Sequence, residues 1–136
     1  METRGKHLLL ELRGCAGEAL DDLGGIEALM RRAAEAAGAT VVQATFHRFA
    51  PQGVSGVVVL EESHLSVHTW PEVGYAAVDM FTCGNCEPEA AVAVLRDGLS
   101  ADSCEVMVVE RGLPVGERSM RVASHHREDP RRREAI

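Results

Sequence analysis

Residues 54–84 read VSGVVVLEESHLSVHTWPEVGYAAVDMFTCG, three strand-length runs separated by short breaks. Val54–Leu60 is the first run, Ser63–Trp70 alternates cleanly and ends at Pro71, and Tyr75–Thr82 closes at Gly84. Connections this short join neighbouring strands only in antiparallel pairs. The same stretch concentrates chemistry: hydroxyls at Ser55 and Ser63, imidazoles at His64 and His68, then Trp70, Glu72 and the Cys83 thiol.

Working outward, Thr40–Phe49 reads as a strand with Val42, Ala44 and Phe46 on one face and Val41, Thr45, His47 and Phe49 on the other. Ala50-Pro51-Gln52-Gly53 is a turn, which makes a hairpin with the Val54 run. Gly56 within that run predicts a bulge or the close approach of another backbone. Further upstream, Ile26, Leu29, Met30, Ala33 and Ala37 recur at helical spacing before Gly38, while Gly24-Gly25 weakens any single long helix from Glu18. His7–Leu12 is a strand closed by Gly14. Downstream, Glu87–Leu99 is a second helix with Pro88 in its first turn, and Cys104–Val109 is a last strand.

The order strand, helix, four strands, helix, strand predicts an α+β fold. It is a two-layer sandwich, an antiparallel sheet with two helices on one face. The other sheet face carries residues such as Val41, Thr45 and Phe49, too apolar to leave fully in water, which predicts a dimer packed through that face.

At 136 residues the chain reads as one domain. Aromatics are only 4%, so the core is built from Val, Leu and Ala. The formal charge of −7 argues against nucleic-acid partners. Arg127, Arg131, Arg132 and Arg133 are interrupted by acidic residues and read as a solvated terminus. No apolar run reaches the length of a membrane span and no signal pattern precedes Leu8, so the expectation is a cytoplasmic protein without a membrane partner. The four cysteines are too few and too irregular for a disulfide framework. Cys83-Gly84-Asn85-Cys86 forms a CxxC, but no second pair follows and no βαβ pattern surrounds it, so neither a metal nor a dedicated redox role is expected. Cys15 and Cys104 read as small buried apolar residues.

Ser63 follows Glu61-Glu62 without a GxSxG elbow, and a Ser–His–Asp triad fits poorly, although Asp79 is available. A second route is open to a serine at a strained bend. Its hydroxyl attacks the carbonyl of the preceding residue, and elimination from the resulting ester cuts the chain and leaves a carbonyl at the new N-terminus.

Four segments carry a family likeness: HLLLELRGC at 7–15, GATVVQATFHRFAPQGVSGVVVL at 38–60, EESHLSVHTWPEVGYAAVDMFTCG at 61–84, and ERG at 110–112. Together they resemble the prokaryotic short form of S-adenosylmethionine decarboxylase, a pyruvoyl-dependent family. The likeness implies a domain over 1–112 and a polar, partly disordered tail over 113–136. It implies self-cleavage between Glu62 and Ser63 into chains of residues 1–62 and 63–136, with Ser63 becoming the pyruvoyl group. His68 matches the processing base that removes the Ser63 α-proton, Ser55 the residue supporting ester formation, and Cys83 the catalytic proton donor. Phe49 matches an adenine-holding aromatic and Glu72 the carboxylate for the ribose hydroxyls. Trp70 shares a strand face with His68, which suits either a pocket wall or a core position. The family reaction joins the substrate amine to the pyruvoyl carbonyl as a Schiff base and loses carbon dioxide. Its product is the aminopropyl donor for spermidine, and its sites lie at a homodimer interface.

Ser63 and His68 are five residues apart, which puts them on opposite faces of a regular strand, roughly 16 Å apart. A general base works within about 3 Å. Either the strand bends sharply, or Ser55 and His68 serve the Ser63 of a second protomer; the family likeness favours the latter. The chain departs from the family pattern at Arg13, where an aromatic is common, at the added thiol of Cys86, and from Leu113 onward. The rival readings are a pyruvoyl-dependent decarboxylase of ornithine or arginine and an uncleaved, non-catalytic paralogue.

Overall fold

Alternation decides which side of each strand is buried. The structure is a computed structural model and describes residues 3–61, 63–114, 116 and 118–129. In β1 (Gly5–Arg13), Leu8, Leu10 and Leu12 are buried while His7, Leu9, Glu11 and Arg13 turn the other way. The same period runs through β3 (Val54–Leu60), β4 (Ser63–Trp70), β5 (Tyr75–Cys83) and β6 (Ser103–Arg111). The buried side of the sheet is covered by α2 (Leu23–Ala36) through Ile26, Leu29, Met30 and Ala33, and by α3 (Ala90–Gly98) through Ala91, Val92 and Leu95. A short helix, α1 (Gly17–Leu20), leads into α2, and the Asp22 side chain caps α2 by accepting from the Gly25 N–H at 3.1 Å.

With β2 (Val41–Arg48) and β7 (Arg121–Glu128), the strands form one antiparallel sheet in the order β2-β3-β4-β5-β1-β6-β7. This is the α+β sandwich the sequence predicts, with β1 inserted between β5 and β6. Its second face is open, and Leu9, Val57 and Val59 are exposed there.

Four details differ from the sequence reading. The register shifts between Val41 and Gln43, so Val41 pairs with Leu60 and packs against the core while Val42 is exposed. Gly56 marks neither a bulge nor an approaching backbone; the ring of its cross-strand partner Phe46 lies over it, and a Cβ there would meet Phe46 Cδ1 at 2.0 Å. The second helix starts at Ala90 instead of Glu87 because the preceding turn is tighter than an α-helix: the N–H groups of Ala90, Ala91 and Val92 donate to the carbonyls of Glu87, Pro88 and Glu89, three residues back. Finally, the polar tail from Leu113 supplies a strand: residues 121–128 pair with β6 as β7. Its side chains are almost all exposed, so no hydrophobic period betrays it. The backbone ladder holds it, with ion pairs from Arg121 to Glu110, His125 to Glu105 at 2.6 Å and Arg96 to Glu128 at 2.7 Å. Among the described residues, no helix is long and apolar enough to cross a membrane.

Candidate active site

β4 is regular. Its register with β3 runs unbroken from Ser55↔His68 to Leu60↔Ser63, and with β5 from His64↔Phe81 to Trp70↔Tyr75. The sharp bend that would bring His68 to Ser63 in one chain is therefore absent. Instead, the strands sort the candidate residues into two groups at opposite ends of the sheet.

At one end are Ser63 and Cys83. Ser63 opens β4, half-buried, and its hydroxyl donates to the Glu61 carbonyl at 3.2 Å. Extending the β4–β5 register by one residue sets Ser63 across from Thr82, with Cys83 next along β5, where it pairs with Gly5 of β1. By alternation Ser63 shares the helix-covered side of the sheet with Thr82, while Cys83 turns to the open side at the same strand end. Glu62, the other side of the expected cut, lies outside the described residues.

At the other end are Ser55, His68, Phe49, Trp70 and Glu72. Ser55 and His68 are cross-strand partners, and Ser55 Oγ lies 2.8 Å from His68 Nδ1. Phe49 is 46% exposed at the hairpin turn, its N–H donating to Gly53 C=O at 2.8 Å and its ring set edge-on to His47 at 4.6 Å. Glu72 stands exposed in the 3-10 turn Pro71–Val73. Trp70 is not a core residue: it is 43% exposed and stacks on Tyr75 with ring centres 5.1 Å apart. The Arg13 guanidinium completes that stack, 4.3 Å above the Tyr75 ring, which gives the residue replacing the family aromatic a cation–π role. The Tyr75 hydroxyl donates to Glu11 at 2.5 Å; burial and that bond push Tyr75 up to about 12.

The hairpin carrying this group is tied to the helices beneath it. Arg48 bridges to Asp21 at 2.6 Å, and the Gly53 N–H donates to Asp21 at 2.9 Å. These contacts, the Gly53 bond first, hold the Asp21 carboxyl below its usual range. Buried Thr69 accepts from the Val54 N–H at 2.9 Å and donates to Leu20 C=O at 2.7 Å.

Between the two ends lies a polar cluster that the sequence reading does not assemble. Asp79 on β5 accepts from Ser66 through one oxygen, and its other oxygen lies 2.6 Å from His7 Nε2 and 3.2 Å from His64 Nε2. Arg111 donates to His7 Nδ1 at 3.1 Å, so Nδ1 is the acceptor and Nε2 carries the proton given to Asp79. Burial raises the Asp79 carboxyl, but the bonds from Ser66, His7 and His64 outweigh it and hold the group below its usual range. The three ligand atoms lie within 4.8 Å of one another, a spacing that could admit a metal ion. A cation there would displace the protons bonded to Asp79 and sit beside the Arg111 guanidinium, so the site's own charges favour the proton network. His64, adjacent to Ser63, is thereby a hydrogen-bonded structural histidine. Its alternation with Ser66, His68 and Trp70 along β4 signals a polar face in sequence; the insertion of β1, which brings His7, does not.

Comparison with known proteins bears directly on this arrangement. Residues 6–112 match the S-adenosylmethionine decarboxylase family. The chain belongs to that family. The S-adenosylmethionine decarboxylase proenzyme of Methanococcus maripaludis is 50% identical over 114 residues, covering 83% of this chain and 93% of that one. The proenzyme of Thermotoga petrophila is 51% identical over 113 residues, covering 82% and 87%. The crystal structure of the adenosylmethionine decarboxylase from Aquifex aeolicus superposes with a TM-score of 0.75 at 34% identity, covering 88% of this chain and 98% of that one. The stretch matched to the S-adenosylmethionine decarboxylase family contains both groups of candidate residues, and β7 lies beyond it.

Proposed function

We propose that this chain is an S-adenosylmethionine decarboxylase that makes its own pyruvoyl group by cutting between Glu62 and Ser63. The observation that carries the reading is the sorting of the candidate residues to two ends of one regular sheet, with Ser63 and Cys83 together at one end and the Ser55–His68 pair at the other. A homodimer that sets two copies in opposite directions brings the Ser63 end of one chain against the Ser55–His68 end of its partner. The site is then built twice, at a homodimer interface, with Ser55 and His68 acting in trans.

In processing, the Ser63 hydroxyl attacks the Glu62 carbonyl and exchanges the amide for an ester. With Nδ1–H donated to Ser55, the Nε2 lone pair of His68 is left to take the Ser63 α-proton. Elimination expels the Glu62 carboxylate, and water then displaces the amino group as ammonia, leaving the keto group at position 63. Ser63 fits that conversion because it is half-buried at the start of a strand, beside the strand end that holds Cys83.

In turnover, the pyruvoyl group supplies a carbonyl that takes the substrate amine and draws off the electron pair as carbon dioxide leaves. Cys83 gives a proton to the carbon that lost carbon dioxide. Exposed Phe49 stacks on adenine, Glu72 accepts from the ribose hydroxyls, and Trp70 walls the pocket. The product serves spermidine synthesis in the cytoplasm. Phe49 and Glu72 suit a nucleoside, and the relatives above are described as S-adenosylmethionine decarboxylases, so ornithine and arginine are not proposed as substrates. The test offers carboxyl-labelled S-adenosylmethionine, ornithine and arginine to the purified protein. Labelled carbon dioxide is expected from the first alone; release from either amino acid overturns the substrate, and release from none overturns the activity.

A further inference from the structure

The family reaction has no use for a second thiol beside Cys83, yet this chain places one three residues on, at Cys86. The structure sorts the four cysteines into two kinds. Cys15 and Cys104 are buried. Burial, then Asp102, pushes the Cys15 thiol up to about 11, and burial, then Glu128, raises Cys104, so both stay protonated and inert. Cys83 and Cys86 are half-exposed and line the same cavity of about 330 Å³, together with the cationic side chains of Arg4 and Lys6 and with Glu110.

Gly84 and Asn85 form a two-residue turn between them. Such a turn holds its flanking Cα atoms within about 7 Å, and a disulfide spans Cα separations of about 4.4–6.8 Å. Gly84 has φ +69°, and nothing lies within 4 Å of where its Cβ would be, so the turn has room to tighten. Cys83 is fixed in the ladder against Gly5, and the Cys86 sulfur makes a weak bond to Gly38 C=O at 3.7 Å. A disulfide to Cys83 would replace that contact.

We propose that Cys83 and Cys86 close a reversible disulfide that switches the enzyme off. The oxidant is a small-molecule disulfide. One thiolate attacks it and releases one small thiol; the second thiol then displaces the other, so two protein thiols are oxidised and one disulfide is reduced to two thiols. A Cys83 sulfur bonded to Cys86 has no proton to deliver to the substrate carbon. The switching effect rests on the role given to Cys83 above, whereas closure of the disulfide does not.

The experiment treats the purified, processed protein with excess glutathione disulfide and reads both intact mass and labelled carbon dioxide release, before and after dithiothreitol. Wild type is expected to lose two hydrogens in the fragment beginning at position 63, with at least a tenfold fall in activity that dithiothreitol restores. Cys86→Ser is expected to keep the reduced activity and to show no loss of two hydrogens. A wild-type mass that does not fall, an activity unchanged when it does, or the same two-hydrogen loss in Cys86→Ser overturns the proposal. If the untreated wild type releases no carbon dioxide, the decarboxylase reading fails on its own account, and the mass still decides whether the disulfide closes.

Discussion

Asp79 gathers hydrogen bonds from three side chains on two strands, Ser66 and His64 of β4 and His7 of β1. Removing its charge leaves those donors short of an acceptor, and Asp79→Asn is expected to lower stability by about 1–3 kcal/mol at pH 7, measured by urea unfolding. The pH dependence has a definite sign. The folded carboxyl titrates below its unfolded value, so its contribution is full above about pH 4 and is lost as the pH falls through the folded value. The gap between wild type and Asp79→Asn should close on going from pH 7 to pH 3; a gap that widens there contradicts the assignment. Cys83 has a different signature. Cys83→Ala is expected to be cut normally and to lose roughly a hundredfold or more in carbon dioxide release, whereas a variant that fails to cut assigns Cys83 to processing.

At the scale of the elements, the Phe46 ring over Gly56 pins the β2–β3 hairpin that presents Phe49 and Ser55. Gly56→Ala puts a methyl into that ring and is expected to cost about 1–3 kcal/mol, read as a lower urea midpoint. Combined with Phe46→Ala, the two losses should fall short of their sum, because the clash exists only while the ring is there. Additive losses would rule this contact out as the reason for the glycine. The strands of this hairpin and of β4 are legible in the sequence because their alternation is uninterrupted. What is not legible follows from competition that a single sequence does not display. The bulge at Val41/Gln43 trades two adjacent valines between faces. The first turn of the second helix tightens into bonds spanning three residues, from Ala90, Ala91 and Val92 back to Glu87, Pro88 and Glu89. β7 carries no apolar period and is fixed by pairing with β6. The His7–Asp79 bond depends on β1 lying beside β5, a neighbour seventy-two residues away in the chain.

For the whole molecule, the proposed dimer makes one chain half of two sites. The motifs single out Ser63, His68, Cys83, Phe49 and Glu72 as candidates, and parity along one strand already separates Ser63 from His68. The sequence sets Trp70 on the His68 face but does not bring Phe49 and Glu72 to the same sheet end; the β2–β3 hairpin and the Pro71–Val73 turn do that. Co-expression of Ser63→Ala with His68→Ala chains should therefore yield cut protein, because each mixed dimer retains one intact Ser63 facing one intact His68. A mixed dimer that never cuts contradicts action in trans. Lysines at Val57 and Val59 on the open face should turn the dimer into a monomer in sedimentation and stop processing with it. The most direct measurement is the intact mass spectrum of the purified wild-type protein. Two fragments are expected, residues 1–62 ending in a carboxylate and residues 63–136 beginning with a pyruvoyl group in place of Ser63. A single uncut chain, or a second fragment that still begins with a serine amine, contradicts the proposed function.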